Sequence, residues 1–167
     1  MIPKLHWIDW KWPGRLAISV RPRGGDWLDD EVVGWRAAGI DTVVSLLTPP
    51  EEAELGLERE HGLCHRNFLE FLSFPITDRE VPTSFAEAVQ LIQRLESTLR
   101  NGRNVAIHCR QGIGRSGIIA AGLLVDAGLA PDEALARVSR ARGLTVPDTP
   151  EQRDWVARLG SATVLGG

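Results

Sequence analysis

The stretch His108-Cys109-Arg110-Gln111-Gly112-Ile113-Gly114-Arg115-Ser116 decides how this chain reads, because it places a cysteine and an arginine at the two ends of a short loop. Before it, Asn104-Val105-Ala106-Ile107 reads as a buried strand. After it, Ser116-Gly117-Ile118-Ile119-Ala120-Ala121-Gly122-Leu123-Leu124 reads as a helix rich in small residues and packed into a core. The loop therefore opens a helix. Backbone N–H groups there lack intrahelical partners, point along the positive end of the macrodipole and converge where an oxyanion such as phosphate would sit. Gly112 and Gly114 let the chain curl tightly enough to aim the amides of Arg110, Gln111, Gly112, Ile113 and Gly114 at that point.

The same field favours the thiolate of Cys109, the form that attacks phosphorus. Arg115 adds a planar fork that can bind two phosphoryl oxygens at once and follow them into the transition state, where a lysine would offer only a point charge. Ser116, one residue further, can donate its hydroxyl to the cysteine sulfur when that sulfur becomes the leaving group of a second step. A buried, inert cysteine in a glycine-rich turn is the competing reading, but it explains neither Arg115 nor the glycines.

Cys109 through Arg115, with His108 before and Ser116-Gly117 after, resembles the signature Cys-x5-Arg loop of the cysteine-dependent protein tyrosine phosphatase superfamily. Trp10-Lys11-Trp12-Pro13-Gly14-Arg15-Leu16-Ala17 is similar to the entry of small atypical dual-specificity phosphatases, and Gly39 to Leu46 is similar to their first core strand. The resemblance implies phosphomonoester hydrolysis through a phosphocysteine intermediate, with no metal and no other cofactor. It also implies a shallow cleft, since the chain holds no Tyr and lacks the length for the extra N-terminal elements of the phosphotyrosine-specific enzymes.

A chain of 167 residues with a quarter of them charged has the size and composition of one globular domain, expected to span residues 1–167. A net charge of −3 gives no reason to expect nucleic acid or an anionic membrane as partner, and a monomer is expected. Two cysteines make no disulfide framework, and Cys109 is useful only when reduced, so a cytoplasmic location is expected. The start, Met1 to Trp7, lacks a secretory apolar region, and no apolar run reaches membrane-spanning length.

The periodicity predicts strands over Trp7 to Trp10 and Arg15 to Val20, a helix over Asp26 to Ala38 and a central strand over Thr42 to Leu47. Pro49-Pro50 then starts an acidic helix to about His61, and Phe68 to Ile76 is the next strand. Ser84 with Glu87 caps a long helix through Arg100, Ala130-Pro131 opens one to about Arg142, and Thr149 opens a last one ending near Gly160. The alternation predicts a single α/β domain: a mostly parallel central sheet flanked by helices, with the signature loop at the carboxyl end of a strand.

Phosphoryl transfer to sulfur also needs a proton for the leaving oxygen. Asp78, in Phe74-Pro75-Ile76-Thr77-Asp78-Arg79-Glu80-Val81-Pro82, follows a strand and resembles the family's acid loop; Glu80 is the alternative, and a plain turn residue is the competing reading. Gln152 resembles a glutamine that orients the hydrolytic water in several family members. It equally completes a T-x-x-Q capping box with Thr149. His108 is read as a supporting residue whose imidazole bonds the loop backbone.

His61, Cys64 and His65 have spacings compatible with a metal, though near a helix end such residues are more commonly surface and core positions, and no metal is expected. Cys64 could also pair with Cys109 on oxidation. Trp7, Trp10 and Trp12 are expected to cover the core or the sheet. The expected substrate is a phosphorylated protein, acted on as a tyrosine or dual-specificity phosphatase. The loop carries no lysine of the kind seen in inositide-directed members, which favours protein over phospholipid; a phosphoinositide or, given Arg110, a small phosphorylated metabolite is the alternative. A silent phosphopeptide-binding module would lack Cys109 or the acid, and an arsenate reductase or sulfur-transfer protein needs a resolving thiol or a loop of different size.

Overall fold

The computed structural model describes residues 3–166, so Met1, Ile2 and Gly167 lie outside the described residues. Five strands, β1 (Leu5–Ile8), β2 (Leu16–Ser19), β3 (Thr42–Ser45), β4 (Glu70–Ser73) and β5 (Val105–His108), form one sheet in the order β1-β2-β5-β3-β4. Only β1 runs antiparallel to its neighbour; β5 sits between β2 and β3 and is parallel to both. Every residue of β2, β3 and β5 is buried, as expected of strands covered on both faces. The mostly parallel sheet predicted from the alternation is thus the one observed.

Helices α1 (Leu28–Ala37), α2 (Pro49–Leu55) and α3 (Glu60–Arg66) lie on one side, and α4 (Phe85–Arg100), α5 (Arg115–Asp126), α6 (Pro131–Arg142) and α7 (Pro150–Gly166) on the other. Side chains alternate between the two faces of a strand. Val43 and Ala106 accordingly join Leu28, Val32 and Trp35 in the smaller cluster, while Val44, Val105 and Ile107 join Ile118, Ile119 and Leu123 in the larger. His108 follows Ile107 and so faces the smaller cluster, where its ring stacks on Trp35 at 5.7 Å.

Several elements differ from the sequence-based expectation. The acidic helix breaks in two because Gly56, at φ 69°, takes the left-handed conformation that ends α2. The strand expected over Phe68 to Ile76 shrinks to Glu70–Ser73. Phe68 sits at φ 61° in the turn before it and is exposed, while beyond it the Phe74 and Ile76 N–H groups still donate to the Ser45 and Leu46 carbonyls. The first strand lies nearer the start, at Leu5–Ile8, and Trp10 and Trp12 meet each other edge to face at 6.3 Å while packing on the larger core. The last helix passes through Gly160, which is there for close packing: a Cβ would come within 2.6 Å of Pro131 Cγ on α6.

Candidate active site

The loop between β5 and α5 lies at the middle of the sheet, at the carboxyl end of its central strand, where open α/β sheets bind ligands. Cys109 is almost fully buried, and its Sγ accepts a hydrogen bond from the Gly112 N–H at 3.3 Å. Gly112 has φ 71°, a conformation that turns the chain sharply before α5 begins at Arg115. In an uninterrupted helix the Arg115 and Ser116 N–H groups would bond to the carbonyls of Gln111 and Gly112. Arg142, from the end of α6, takes those carbonyls instead. Its Nη2 donates to Gln111 O at 3.0 Å and its Nε to Gly112 O at 2.8 Å, while Nη1 lies 3.1 Å from His6 Nε2. With the carbonyls drawn outward, the first-turn N–H groups of α5 are left for an anion.

Arg115 is buried to 1% exposure, and four groups fix its guanidinium. Glu51 on α2 binds it through both oxygens, at 2.7 and 2.9 Å; the Ile76 carbonyl accepts from Nη1 at 2.8 Å; Asp78 Oδ1 lies 3.1 Å from Nη2; and Leu46 O is at 3.5 Å. Burial pushes the Glu51 carboxyl up, but the bonds from Arg115 and Thr48 outweigh it and hold the group at about 2. Burial pulls Arg115 down, and Glu51, Cys109 and Asp78 together more than reverse that, so its value lies above the ordinary one. Glu51 was not singled out from sequence, although Thr48-Pro49-Pro50-Glu51 at the exit of a buried strand is a capping-box pattern; here the box forms and its carboxylate is aimed at Arg115 as well.

Asp78, Arg79, Cys109, Gln111, Gly114, Arg115 and Asp148 line one cleft of about 210 Å³, below the range of about 300–1,000 Å³ usual for small-molecule pockets. The acid candidate and the nucleophile are thus brought together, and Asp148 joins them unforeseen. Glu80 is exposed and contributes its backbone carbonyl to Gln152. Arg110 turns aside, with Nη2 2.9 Å from Glu54 and Nη1 3.6 Å from Glu51. Ile113 packs against the larger core.

Three expectations need revision. His108 does not bond the loop backbone: its ring faces the α1–α3 side, where Nε2 lies 2.6 Å from Glu60 Oε1, both groups being buried, while Nδ1 has no partner. The Ser116 hydroxyl is buried without a hydrogen-bond partner and makes no bond to Cys109. Gln152 is fully buried and absent from the cleft; its N–H bonds Thr149 Oγ1 at 3.1 Å as a cap, but its amide reaches elsewhere. Away from the site, His61 stacks on Phe71 at 5.4 Å, and Cys64 is buried in the smaller cluster, where burial and then the Glu60 charge push its thiol up. Among the described residues no group of three or more His, Cys, Asp or Glu could hold a metal ion, and no helix is long and apolar enough to cross a membrane.

Residues 20–129 match the family model described as "Tc-R-P: Polymorphic toxin system, DSP-PTPase phosphatase". The chain is 36% identical over 150 residues to "Putative tyrosine phosphatase 197R" of Invertebrate iridescent virus 6, a match over 87% of this chain and 53% of that protein. It thus spans about half the length of that curated relative, and 58% of a cyclin-dependent kinase inhibitor 3 from Sus scrofa, with 28% identity over 72% of this chain. Among solved structures it is similar to Tk-PTP in its active form, with 31% identity, 95% and 97% of the two chains covered and a TM-score of 0.77. It also shares the fold of kinase-associated phosphatase, solved with its catalytic-site cysteine replaced by serine, at a TM-score of 0.87, 19% identity and coverage of 98% and 97%.

Proposed function

Because this chain belongs to the DSP-PTPase phosphatase family, we propose that it hydrolyses phosphate monoesters on proteins, as a tyrosine or dual-specificity phosphatase working through a phosphocysteine. One observation carries this reading: Asp78 lies 3.1 Å from Arg115 and lines the same cleft as Cys109, so nucleophile, phosphoryl-binding fork and proton donor face one small space.

In the first step the Cys109 thiolate forms an S–P bond as the bond from phosphorus to the leaving oxygen breaks, and Asp78 passes its proton to that oxygen. Arg115 and the first-turn amides of α5 hold the three remaining oxygens while charge shifts among them. In the second step water attacks phosphorus as the S–P bond breaks, the bonding pair leaves on sulfur and restores the Cys109 thiolate, and the water's proton goes to the Asp78 carboxylate and restores the acid. Ser116, the second residue of α5, is the proposed donor to the departing thiolate: its buried hydroxyl has no other partner in the resting fold.

A protein substrate is supported by the loop's lack of lysine and by Arg110, whose charge is already matched by Glu54 and Glu51 and so adds little for a polyanionic metabolite. The need for a reduced Cys109 supports a reducing compartment such as the cytoplasm. The test is turnover of a phosphopeptide and phosphoinositide panel by wild type and Cys109→Ser. The variant should lose turnover yet still bind vanadate; hydrolysis by Cys109→Ser refutes the covalent mechanism, and preference for inositides refutes the substrate assignment.

A further inference from the structure

The segment carrying Asp78 is clamped at both ends. At its entry the Ile76 carbonyl accepts from Arg115 at 2.8 Å; at its exit the Glu80 carbonyl accepts from Gln152 Nε2 at 3.0 Å. Between them the Glu80 N–H donates to the Thr77 carbonyl at 3.0 Å, closing a turn whose central residues are Asp78 and Arg79. Arg79 has φ 65°, a left-handed conformation that costs a non-glycine residue roughly 1–2 kcal/mol and lasts only where the surroundings enforce it.

Gln152 supplies part of that enforcement. Its Oε1 accepts the Asp148 N–H at 3.0 Å while its Nε2 serves Glu80, and because one partner is a donor and the other an acceptor, only this orientation of the amide satisfies both. The amide also packs on the signature loop: a Cβ on Gly114 would come within 2.9 Å of Gln152 Oε1 and 3.0 Å of Nε2. One fully buried side chain therefore touches the acid-bearing turn, the segment before α7 and the residue preceding Arg115.

We propose that Gln152 is a positioning residue for proton transfer, holding the Asp78 turn over the phosphate loop through the Glu80 carbonyl rather than orienting the hydrolytic water. The proposal rests on the phosphatase reading above. A water-orienting residue must offer its amide to the cleft, whereas both amide heteroatoms of Gln152 are bonded to backbone behind the loop. Loosening the tether should therefore harm the step that needs Asp78's proton and spare substrates whose leaving group needs none.

The experiment uses Gln152→Glu, which keeps an acceptor for Asp148 but sets an oxygen against the Glu80 carbonyl, and Gln152→Met, which removes the donor without adding charge. The expected result is a fall in kcat/KM on the order of tenfold or more for a phosphotyrosine peptide, with p-nitrophenyl phosphate changed by less than about threefold. The alkaline limb of the peptide pH profile should flatten. In an Asp78→Asn background neither substitution should alter the ratio between the two substrates further, because the residue acts through Asp78. Equal losses on both substrates in both variants would make Gln152 merely structural and overturn the proposal. A burst of phenol followed by a slow step independent of leaving group would return it to the water-orienting role. Either failure leaves the phosphatase reading standing, which falls only with Cys109→Ser.

Discussion

Replacing Glu51 with Gln should separate the charge that fixes Arg115 from the shape that surrounds it. The carboxyl is held at about 2 against an ordinary value of 4.5, and at about 1.4 kcal/mol per pKa unit the difference amounts to about 3 kcal/mol of native stability at pH 7. A lowered carboxylate contributes fully above its unfolded value and loses the contribution as pH falls toward its folded one. Roughly half of it should be gone by pH 3. Glutamine keeps the volume and one acceptor but leaves the buried guanidinium without its bidentate counterion, a change of the kind that costs about 3–5 kcal/mol. Urea unfolding of both proteins at pH 7 and pH 3 should show the gap narrowing with acid. With the fork no longer aligned, kcat/KM for p-nitrophenyl phosphate should drop about 100-fold, the scale of one lost transition-state donor. A stability gap under about 1 kcal/mol at pH 7, a gap that does not shrink with acid, or unchanged turnover would each refute the reasoning.

Arg142→Met should weaken vanadate binding and lower kcat/KM about 100-fold, with turnover checked alongside a thermal melt; the two charged hydrogen bonds to Gln111 O and Gly112 O keep the first-turn amides of α5 free. Glu96 on α4 is pushed up to about 7 by burial, then by the hydrogen bond and charge of Asp126, against the pull of Arg100. A raised carboxyl costs stability as pH climbs from about 4.5 to about 7, so thermal melts should show Glu96→Gln gaining on wild type by up to about 3 kcal/mol at pH 8, with the gain shrinking below about 1 kcal/mol near pH 5.

The signature stretch could be read directly because its function depends on residue type at fixed spacing, and Cys109, Gly112, Gly114 and Arg115 sit where that spacing places them. Asp78 was picked out by its loop after a strand and by its resemblance to the acid loop, and it lies 3.1 Å from Arg115 in the cleft that Cys109 lines. His108 was not. The alternation of a buried strand sends it to the opposite face from Ile107, but only the packing of α1 and α3 shows that Trp35 and Glu60 wait there. Gln152 was read both as similar to a water-orienting glutamine and as part of a capping box, and the backbone half of that box exists; where its amide goes depends on how close the acid turn comes, a distance no local pattern encodes. The helix break at Gly56 could have been seen, since glycine after an acidic run is a common helix stop. The Phe68 turn could not, because a phenylalanine at positive φ contradicts its own preference.

Glu51, Arg142 and Gln152 come from α2, α6 and α7, and none lies within the stretch that carries the chemistry. Each acts on something the loop cannot control itself: the aim of the Arg115 fork, the direction of the Gln111 and Gly112 carbonyls, and the height of the Asp78 turn. Donors and charges stabilise a transition state in proportion to how little they must move when it forms. A loop with two glycines is free to curl around an anion and equally free to relax away from it, so the residues that give it reach also require anchors from outside. The fully buried positions of Arg115 and Gln152 are consistent with this, since a buried polar group is tolerated only with its partners in place, and the partners then cannot move without cost. The loop is flexible in sequence and fixed in the fold, and the second property is what keeps Cys109, Arg115 and Asp78 facing one cleft.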